Sequence, residues 1–347
     1  ATVVSADAEF NRWVLQAEGR GLFAGSCPTS IAEIMGRQSM LALVGDAHRE
    51  MRSIAVAFLG GGTSGGLRRR SRFFATVERQ AAKVLNSWND RVCHGSVGAA
   101  ASFSAHKEAK NCNGEAFDKH GGGNGRGEAA EQGVRHLHAG NGITASRAKI
   151  LSLIGQKLDE RIKQKLQENK LLKEAEKAAE EEEEGGGDLL DLVLKHQNLT
   201  REQILDLVLS MLFAGHETSS AAIALAIYFL QDVHMMCEEK KMRKQNINLK
   251  EEHTRIAKIK EERGEKQLNW DDYKQMQFTH CVIAETLRLG NIVKFLHRRA
   301  IKNVQYKGYD IPCGWELVPI ISAEHLDPSI YDDPQSYNPW RWQVSSN

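Results

Sequence analysis

Apolar residues recur at helical spacing along most of this chain. Asp46 to Phe58 is one example, with Met51, Ile54, Ala55 and Phe58 on a single face. The same spacing predicts helices over Ala8 to Gln16, about Arg72 to Trp88, Ser146 to Lys173, Cys237 to Glu265 and Phe278 to Leu289. The pattern therefore predicts a mainly α-helical protein.

The longest apolar stretch predicts one continuous helix over about Thr200 to Gln231. Thr200, with Gln203 three residues later, forms a capping box at its start. Polar residues interrupt the stretch, so we interpret the helix as buried and not membrane-spanning; they are Asp206, His216 and Glu217. Gly215 lies near the middle, where glycine costs roughly 1 kcal/mol relative to alanine and leaves room for something small.

Short strands are predicted at two places. Val3-Val4 is a strand signal near the start, and between Lys302 and Ile321 the apolar period shifts to that of strands, with a turn at Lys307-Gly308. The fold class is therefore mainly α with a small β-sheet.

Two segments break the pattern. Glycine, alanine, histidine and asparagine dominate residues 93–142, and an acidic run followed by three glycines occupies residues 180–187. Such compositions bury too little apolar surface to offset ordering entropy. We predict that 111–142 and 180–187 are disordered or linker insertions, the first places that limited proteolysis cuts.

Composition excludes some classes of function. The net charge of +1 over 347 residues argues against nucleic acid as a partner. The six cysteines lack regular spacing, which favours free thiols in a reducing compartment. Only His136 and His138 approach a metal-ligand spacing among the histidines near Cys93 and Cys112, so no metal site is predicted.

Glu217 and Thr218 carry the clearest chemical signal. A hydroxyl beside a carboxylate can relay protons to a small molecule held against Gly215. The alternative is a threonine bonded back to its own helix, with a glutamate on the surface. Glu285 and Arg288 lie three apart on one helix face, as in a surface ion pair worth less than about 1 kcal/mol.

These motifs together resemble a known family. Ala214-Gly215-His216-Glu217-Thr218, then Glu285-Thr286-Leu287-Arg288, then Asn338-Pro339-Trp340-Arg341-Trp342 resemble the cytochrome P-450 haem-thiolate monooxygenases. The blocks from Val3 to Asp7, from Gly45 to Arg52 and from Leu268 to Gln343 are most similar to the plant brassinosteroid branch, and within it to the steroid C-22 hydroxylases. The resemblance implies a single, incomplete cytochrome P-450 domain over residues 1–347.

The resemblance also assigns roles to individual residues. Ala214 and Gly215 would shape the oxygen site beside haem, and Glu217 and Thr218 would deliver protons. Three basic residues would hold the haem propionates, although a solvated basic face is the alternative: His48, Arg52 and Arg298. A buried network would join Glu285 and Arg288 to Arg341. One apolar group could face a flat apolar substrate or belong to the ordinary core: Val293, Phe295 and Leu296.

The family further implies a sterol substrate, electrons from NADPH-cytochrome P-450 reductase, and the cytosolic face of the endoplasmic reticulum membrane. Its iron-binding cysteine lies in a Phe-x-x-Gly-x-Arg-x-Cys-x-Gly loop that we do not find, and none of the six cysteines has that context. We also find no membrane anchor, and expect truncation at both ends. Two functions remain open: sterol C-22 hydroxylation, or a non-catalytic, pseudogene-like product that at most binds a sterol or a partner.

Overall fold

The computed structural model describes residues 1–17, 20–60, 75, 77–83, 143–175, 189–196, 198–231, 239–265 and 267–343. The proposed insertions at 111–142 and 180–187 lie outside these residues, as does most of the helix predicted from Arg72 to Trp88. The chain divides into two compact units. The first unit comprises 1–26, 74–112 and 217–347, and the second comprises 27–73 and 113–216. The single-domain assignment stays a prediction.

The second unit is built from helices around one apolar core. In sequence order they are α2 (Thr29–Met35), α3 (Gly45–Gly60), α4 (Ile143–Ala175), α5 (Leu189–Lys195) and the first half of α6 (Arg201–Gln231). The four apolar residues predicted to share a face of α3 are all buried in this core. Ile150, Leu158 and Leu207 are among the fully buried side chains that they join. The helical period therefore predicted the core-facing side of α3 correctly.

A buried carboxylate lies in this otherwise apolar unit. Asp206 of α6 is 0% exposed and accepts hydrogen bonds from the amide of Gln38 (3.1 Å) and from Arg147 Nη2 (2.6 Å). Burial raises the pKa of Asp206 and outweighs the opposing effect of Arg147. Gly36 passes so close, at φ +100°, that an added Cβ would lie 1.9 Å from the carboxylate. Asp206 thus ties the end of α2 to α6.

The first unit contains a four-stranded sheet in the order β1-β6-β3-β2. Its strands are β1 (Thr2–Ser5), β2 (Phe23–Gly25), β3 (Arg298–Ala300) and β6 (Glu316–Pro319). β1 pairs in parallel with β6, from Thr2 opposite Glu316 to Ser5 opposite Pro319, and the other pairs are antiparallel. Helix α1 (Ala8–Ala17) buries Val14 against this sheet, in a cluster with Phe23 and Leu317.

A separate hairpin joins β4 (Val304–Tyr306) to β5 (Tyr309–Ile311). Lys307 and Gly308, at φ 47° and 87°, form its two-residue turn, as the sequence predicted. The remaining helices of this unit are the second half of α6, α7 (Glu239–Arg263), α8 (Trp270–Gln275), α9 (Gln277–Gly290) and α10 (Ile321–His325), followed by a 3₁₀ turn at Pro339–Trp342. The mainly α fold with small sheets is confirmed.

Candidate functional site

Helix α6 carries the candidate catalytic residues at its middle. Its capping box is present: the amide of Thr200 donates to Gln203 Oε1 (2.9 Å), and the amide of Gln203 donates to Thr200 Oγ1 (3.3 Å). The helix then runs without a break to Gln231. The boundary between the two units falls inside it, after His216. Both the extent of this helix and its cap are as predicted.

One side of this helix presents small residues and a hydroxyl. Ala214 and Thr218 are exposed and four residues apart, so they share a helix face, and the half-exposed Gly215 lies beside them. His216 is buried, with 5% of its surface exposed, and Glu217 is half-buried. A flat group can therefore approach the backbone at Gly215 with the hydroxyl of Thr218 next to it.

The three basic candidates lie on two elements. His48 (half-buried) and Arg52 (exposed) are one helical turn apart on α3, in the second unit. Arg298 is half-buried on β3, in the first unit, where its Nη1 donates to the carbonyl of His297 (2.9 Å). Their assignment to propionates stays a prediction.

Glu285 is the centre of a buried ionic network. Its carboxylate is 0% exposed and forms a two-point ion pair with Arg288 (2.8 and 2.9 Å), whose side chain is 1% exposed. Arg341 Nε donates to the same carboxylate at 3.0 Å. The predicted contact with Arg341 is confirmed, and the alternative of a surface ion pair is wrong.

The two arginines of this network also hold the chain that returns to α9. Arg288 donates to the carbonyls of His325 (2.6 Å), Pro334 (2.6 Å) and Ser336 (3.2 Å). The ring of Tyr331 lies 5.0 Å from the guanidinium carbon of Arg288 and 5.8 Å from that of Arg341. The network therefore fixes a long loop, and the expectation that its role is architectural and not catalytic stays a prediction.

Hydrogen bonding controls the charge of Glu285. Burial by itself raises the pKa of this carboxyl, but donors from Arg288, the amide of Asn338 and the indole of Trp342 together hold it below its usual range. Sequence reasoning missed Trp342, which donates to Glu285 at 2.9 Å. The only sequence feature that pointed to Trp342 was its position directly after Arg341, as an aromatic residue with an N–H group.

Two of the three apolar candidates are not core residues. Val293 is 51% exposed and Phe295 is 47% exposed, while Leu296 is half-buried. The alternative of ordinary core is therefore wrong for the first two, which form an apolar surface just after α9.

Three cysteines lie in the described part of the chain. Cys27 is half-buried, Cys281 is buried on α9 and Cys313 is exposed. Burial raises the pKa of both Cys27 and Cys281, which favours the thiol over the thiolate. In the same residues, no three side chains among histidine, cysteine, aspartate and glutamate form a metal-binding group. His136 and His138 lie outside them.

Comparison with known proteins places this architecture in a family. The family model for Cytochrome P450 matches residues 2–347. Cholesterol 22-hydroxylase CYP90B27 of Paris polyphylla is 52% identical over 99% of this chain and 67% of its own length. Cholesterol 22-monohydroxylase CYP90B51 of Trigonella foenum-graecum is 44% identical (99% and 66%), and Steroid (22S)-hydroxylase of Oryza sativa subsp. japonica is 45% identical (100% and 65%). The chain thus spans about two thirds of the length of these relatives.

Solved structures agree on the fold. The retinoic acid-bound cyanobacterial CYP120A1 matches 98% of this chain and 71% of its own with a TM-score of 0.72 at 19% identity. A zebrafish cytochrome P450 with abiraterone matches 99% and 77%, also at 0.72, with 15% identity. The match over nearly all of the sequence, joined to the small-residue helix face and the buried Glu285 network, shows that this chain belongs to the cytochrome P450 family.

Proposed function

We propose that this protein hydroxylates the side chain of a sterol at C-22. The observation that carries the proposal is 52% identity over 99% of the chain to a cholesterol 22-hydroxylase, with steroid or cholesterol 22-hydroxylases from other plants at 43–45%. The alternative, a non-catalytic product that at most binds a sterol or a partner, is not favoured by these comparisons.

The middle of α6 supports a proton-delivery role. The side chains of Ala214 and Gly215 are small, so a planar cofactor and a diatomic ligand would have room against this side of the helix. The exposed hydroxyl of Thr218 would donate a hydrogen bond to that ligand, and the carboxylate of Glu217 would resupply the proton through water. When bound, the haem supplies oxygen activation and receives electrons from outside the protein.

The chemistry of several described residues suits parts of a haem group. Small residues at Ala214 and Gly215 would leave room for a porphyrin plane, and the basic residues His48, Arg52 and Arg298 would suit its carboxylates. We propose that none of the described cysteines would ligate the haem iron, because none lies in the ligand-loop sequence of the family; burial also raises the pKa of Cys27 and Cys281, and Cys313 lies in an exposed turn.

The chemistry of a sterol suits the apolar surface just after α9. Val293 and Phe295 expose apolar side chains at the end of α9, and a sterol is a large, nearly wholly apolar molecule. We assign these two residues to substrate contact. Their removal should raise the sterol KM more than it lowers kcat.

NADPH-cytochrome P450 reductase is the proposed electron donor, and the cytosolic face of the endoplasmic reticulum the proposed location. In the described residues, one helix is long and apolar enough to cross a membrane, Arg201–Leu230. Of the most apolar stretch of this helix, 39% is buried inside the protein, and the core helix of a soluble protein can be just as long and apolar. We assign α6 to the core because Leu207 and Leu209, in its first half, are fully buried.

The test is to incubate the haem-loaded protein with cholesterol, the reductase and NADPH, and to identify the product by mass spectrometry. We expect a sterol hydroxylated at C-22; hydroxylation only at another carbon, or none, would contradict the proposal. Thr218→Ala should lower product formed per NADPH consumed by about tenfold or more, because proton delivery contributes about 10²-fold or more to such steps. Thr218→Ser should retain activity, and Ser219→Ala, next along the same helix, is the matched control.

A further inference from the structure

Trp342 ends the 3₁₀ turn at Pro339–Trp342 and reaches a residue far away in sequence. Its indole Nε1–H donates to Glu285 Oε2 at 2.9 Å. The carboxylate that receives this bond is fully buried, while Trp342 itself keeps 36% of its surface exposed. The indole therefore reaches inward with its polar edge and covers the network with its ring.

The two carboxylate oxygens of Glu285 accept hydrogen bonds from different sets of donors. Oε1 accepts from Arg288 Nη2 (2.8 Å), the amide of Asn338 (2.9 Å) and Arg341 Nε (3.0 Å). Oε2 accepts from Arg288 Nε (2.9 Å) and from Trp342 (2.9 Å). Among the described residues, the indole is thus the one donor to Oε2 from outside helix α9.

We propose that Trp342 is a positioning residue: its indole N–H completes the donors around Glu285 and locks the 3₁₀ turn against helix α9. The amide of Asn338 before the turn and the indole at its end bind the same carboxylate, so both ends of the turn are clamped. Trp340, between them, packs its ring 5.5 Å from that of Phe278 on α9. These two hydrogen bonds and one ring contact together hold the 3₁₀ turn in place against α9.

A hydrogen bond to a buried charge is stronger than one between neutral groups, because water cannot solvate the buried charge in its place. The charged groups that face Glu285 are Arg288 on its own helix and Arg341 on the turn. The phenol of Tyr337 lies near Glu285, and the backbone carbonyl of His325 accepts a hydrogen bond from Arg288. Apart from the one bond from Arg288 Nε, none of these groups donates to Oε2.

The consequence for activity rests on the proposed function. The positioning role itself is tested on the unliganded chain, without haem, sterol or reductase. A failed hydroxylation assay therefore leaves this inference standing, and a failed test of Trp342 leaves the hydroxylase proposal standing.

The experiment is a double-mutant cycle with Trp342→Phe and Glu285→Gln, read by urea unfolding and circular dichroism. Trp342→Phe keeps the ring and removes the N–H. We expect it to raise the unfolding equilibrium constant at pH 7 by about tenfold or more, the range for a hydrogen bond to a charged group. In the Glu285→Gln background the same substitution should change that constant by less than about threefold, since the charge is gone.

Acidification gives a second readout that lost packing alone would not move. The penalty of Trp342→Phe should be full at pH 7 and shrink as the pH falls below the pKa of Glu285. Trp315→Phe, in the separate cluster under the sheet, is the matched control and should show a penalty independent of pH. Additive effects in the cycle, or a Trp342→Phe penalty as flat with pH as that of the control, would overturn the proposal. If Glu285→Gln does not fold, the pH comparison decides alone.

Discussion

Removal of Arg288 should be among the most damaging single changes in this chain. We consider Arg288→Leu, which keeps an apolar side chain but deletes the guanidinium. Glu285 would lose its two-point partner while remaining buried, and breaking a buried ion pair in this way costs about 3–5 kcal/mol. Three backbone carbonyls lose a donor as well, those of His325, Pro334 and Ser336. Domains have only about 5–15 kcal/mol of stability, so about a fifth or more would be lost.

The assay is urea unfolding followed by the fluorescence of Trp340 and Trp342, which flank Arg341. The matched control is Lys258→Leu on α7, because Lys258 forms an exposed pair with Glu262 at 3.8 Å. Such surface pairs contribute about 0–1 kcal/mol. A loss for Arg288→Leu no larger than that of the control would refute the reasoning.

The pH dependence provides an independent check on the same variant. In the native protein the pKa of Glu285 lies below its usual range, so its contribution is present above pH 4–5, the ordinary range of a glutamate, and is lost as the pH falls. Without Arg288 the largest opposing influence is gone, and burial pushes the pKa of Glu285 upward. The variant should then lose less stability than the native protein on acidification from pH 7.

Three further predictions concern other sites. Gly36→Ala should cost about 2–3 kcal/mol, measured by chemical denaturation, because the new Cβ meets Asp206 and φ is positive; Gly308→Ala, also at positive φ but with open space around it, should cost only about 1 kcal/mol. His325→Gln should reduce the loss of stability between pH 7 and pH 5. Burial and then Arg288 lower the pKa of His325, so the native fold loses stability as the pH falls below 6.5. An unchanged pH profile of stability in the variant would contradict this. Asn198 begins an exposed Asn-x-Thr sequon, and a cytosolic chain should leave it unmodified; a mobility shift after glycosidase treatment would contradict the proposed location.

Sequence reasoning predicted the elements that carry their own local signals. The capping box at Thr200, the apolar face of α3 and the Lys307-Gly308 turn are each encoded within a few residues. The contact between Glu285 and Arg341 was predicted by family resemblance, because no local pattern connects residues so far apart.

The elements that were missed depend on distant partners. Arg298–Ala300 forms a strand only because it pairs with β2 and β6, and its composition carries no alternating apolar pattern. The indole bond of Trp342 and the burial of Asp206 are likewise tertiary effects. Asp206 was seen only as an interruption of an apolar helix, whereas its carboxylate is held by Arg147 and the amide of Gln38.

The parallel pairing of β1 with β6 has a consequence for how the chain is made. β1 leaves the ribosome before its partner, which follows about 300 residues later, at ordinary synthesis rates about 15–60 s. During that time the backbone donors and acceptors of Thr2–Ser5 have no strand to bind, and Val3 has no sheet to pack on. A ribosome that pauses before Glu316 therefore leaves β1 open to pairing with other strands, so this strand is one that chaperones should need to protect for long.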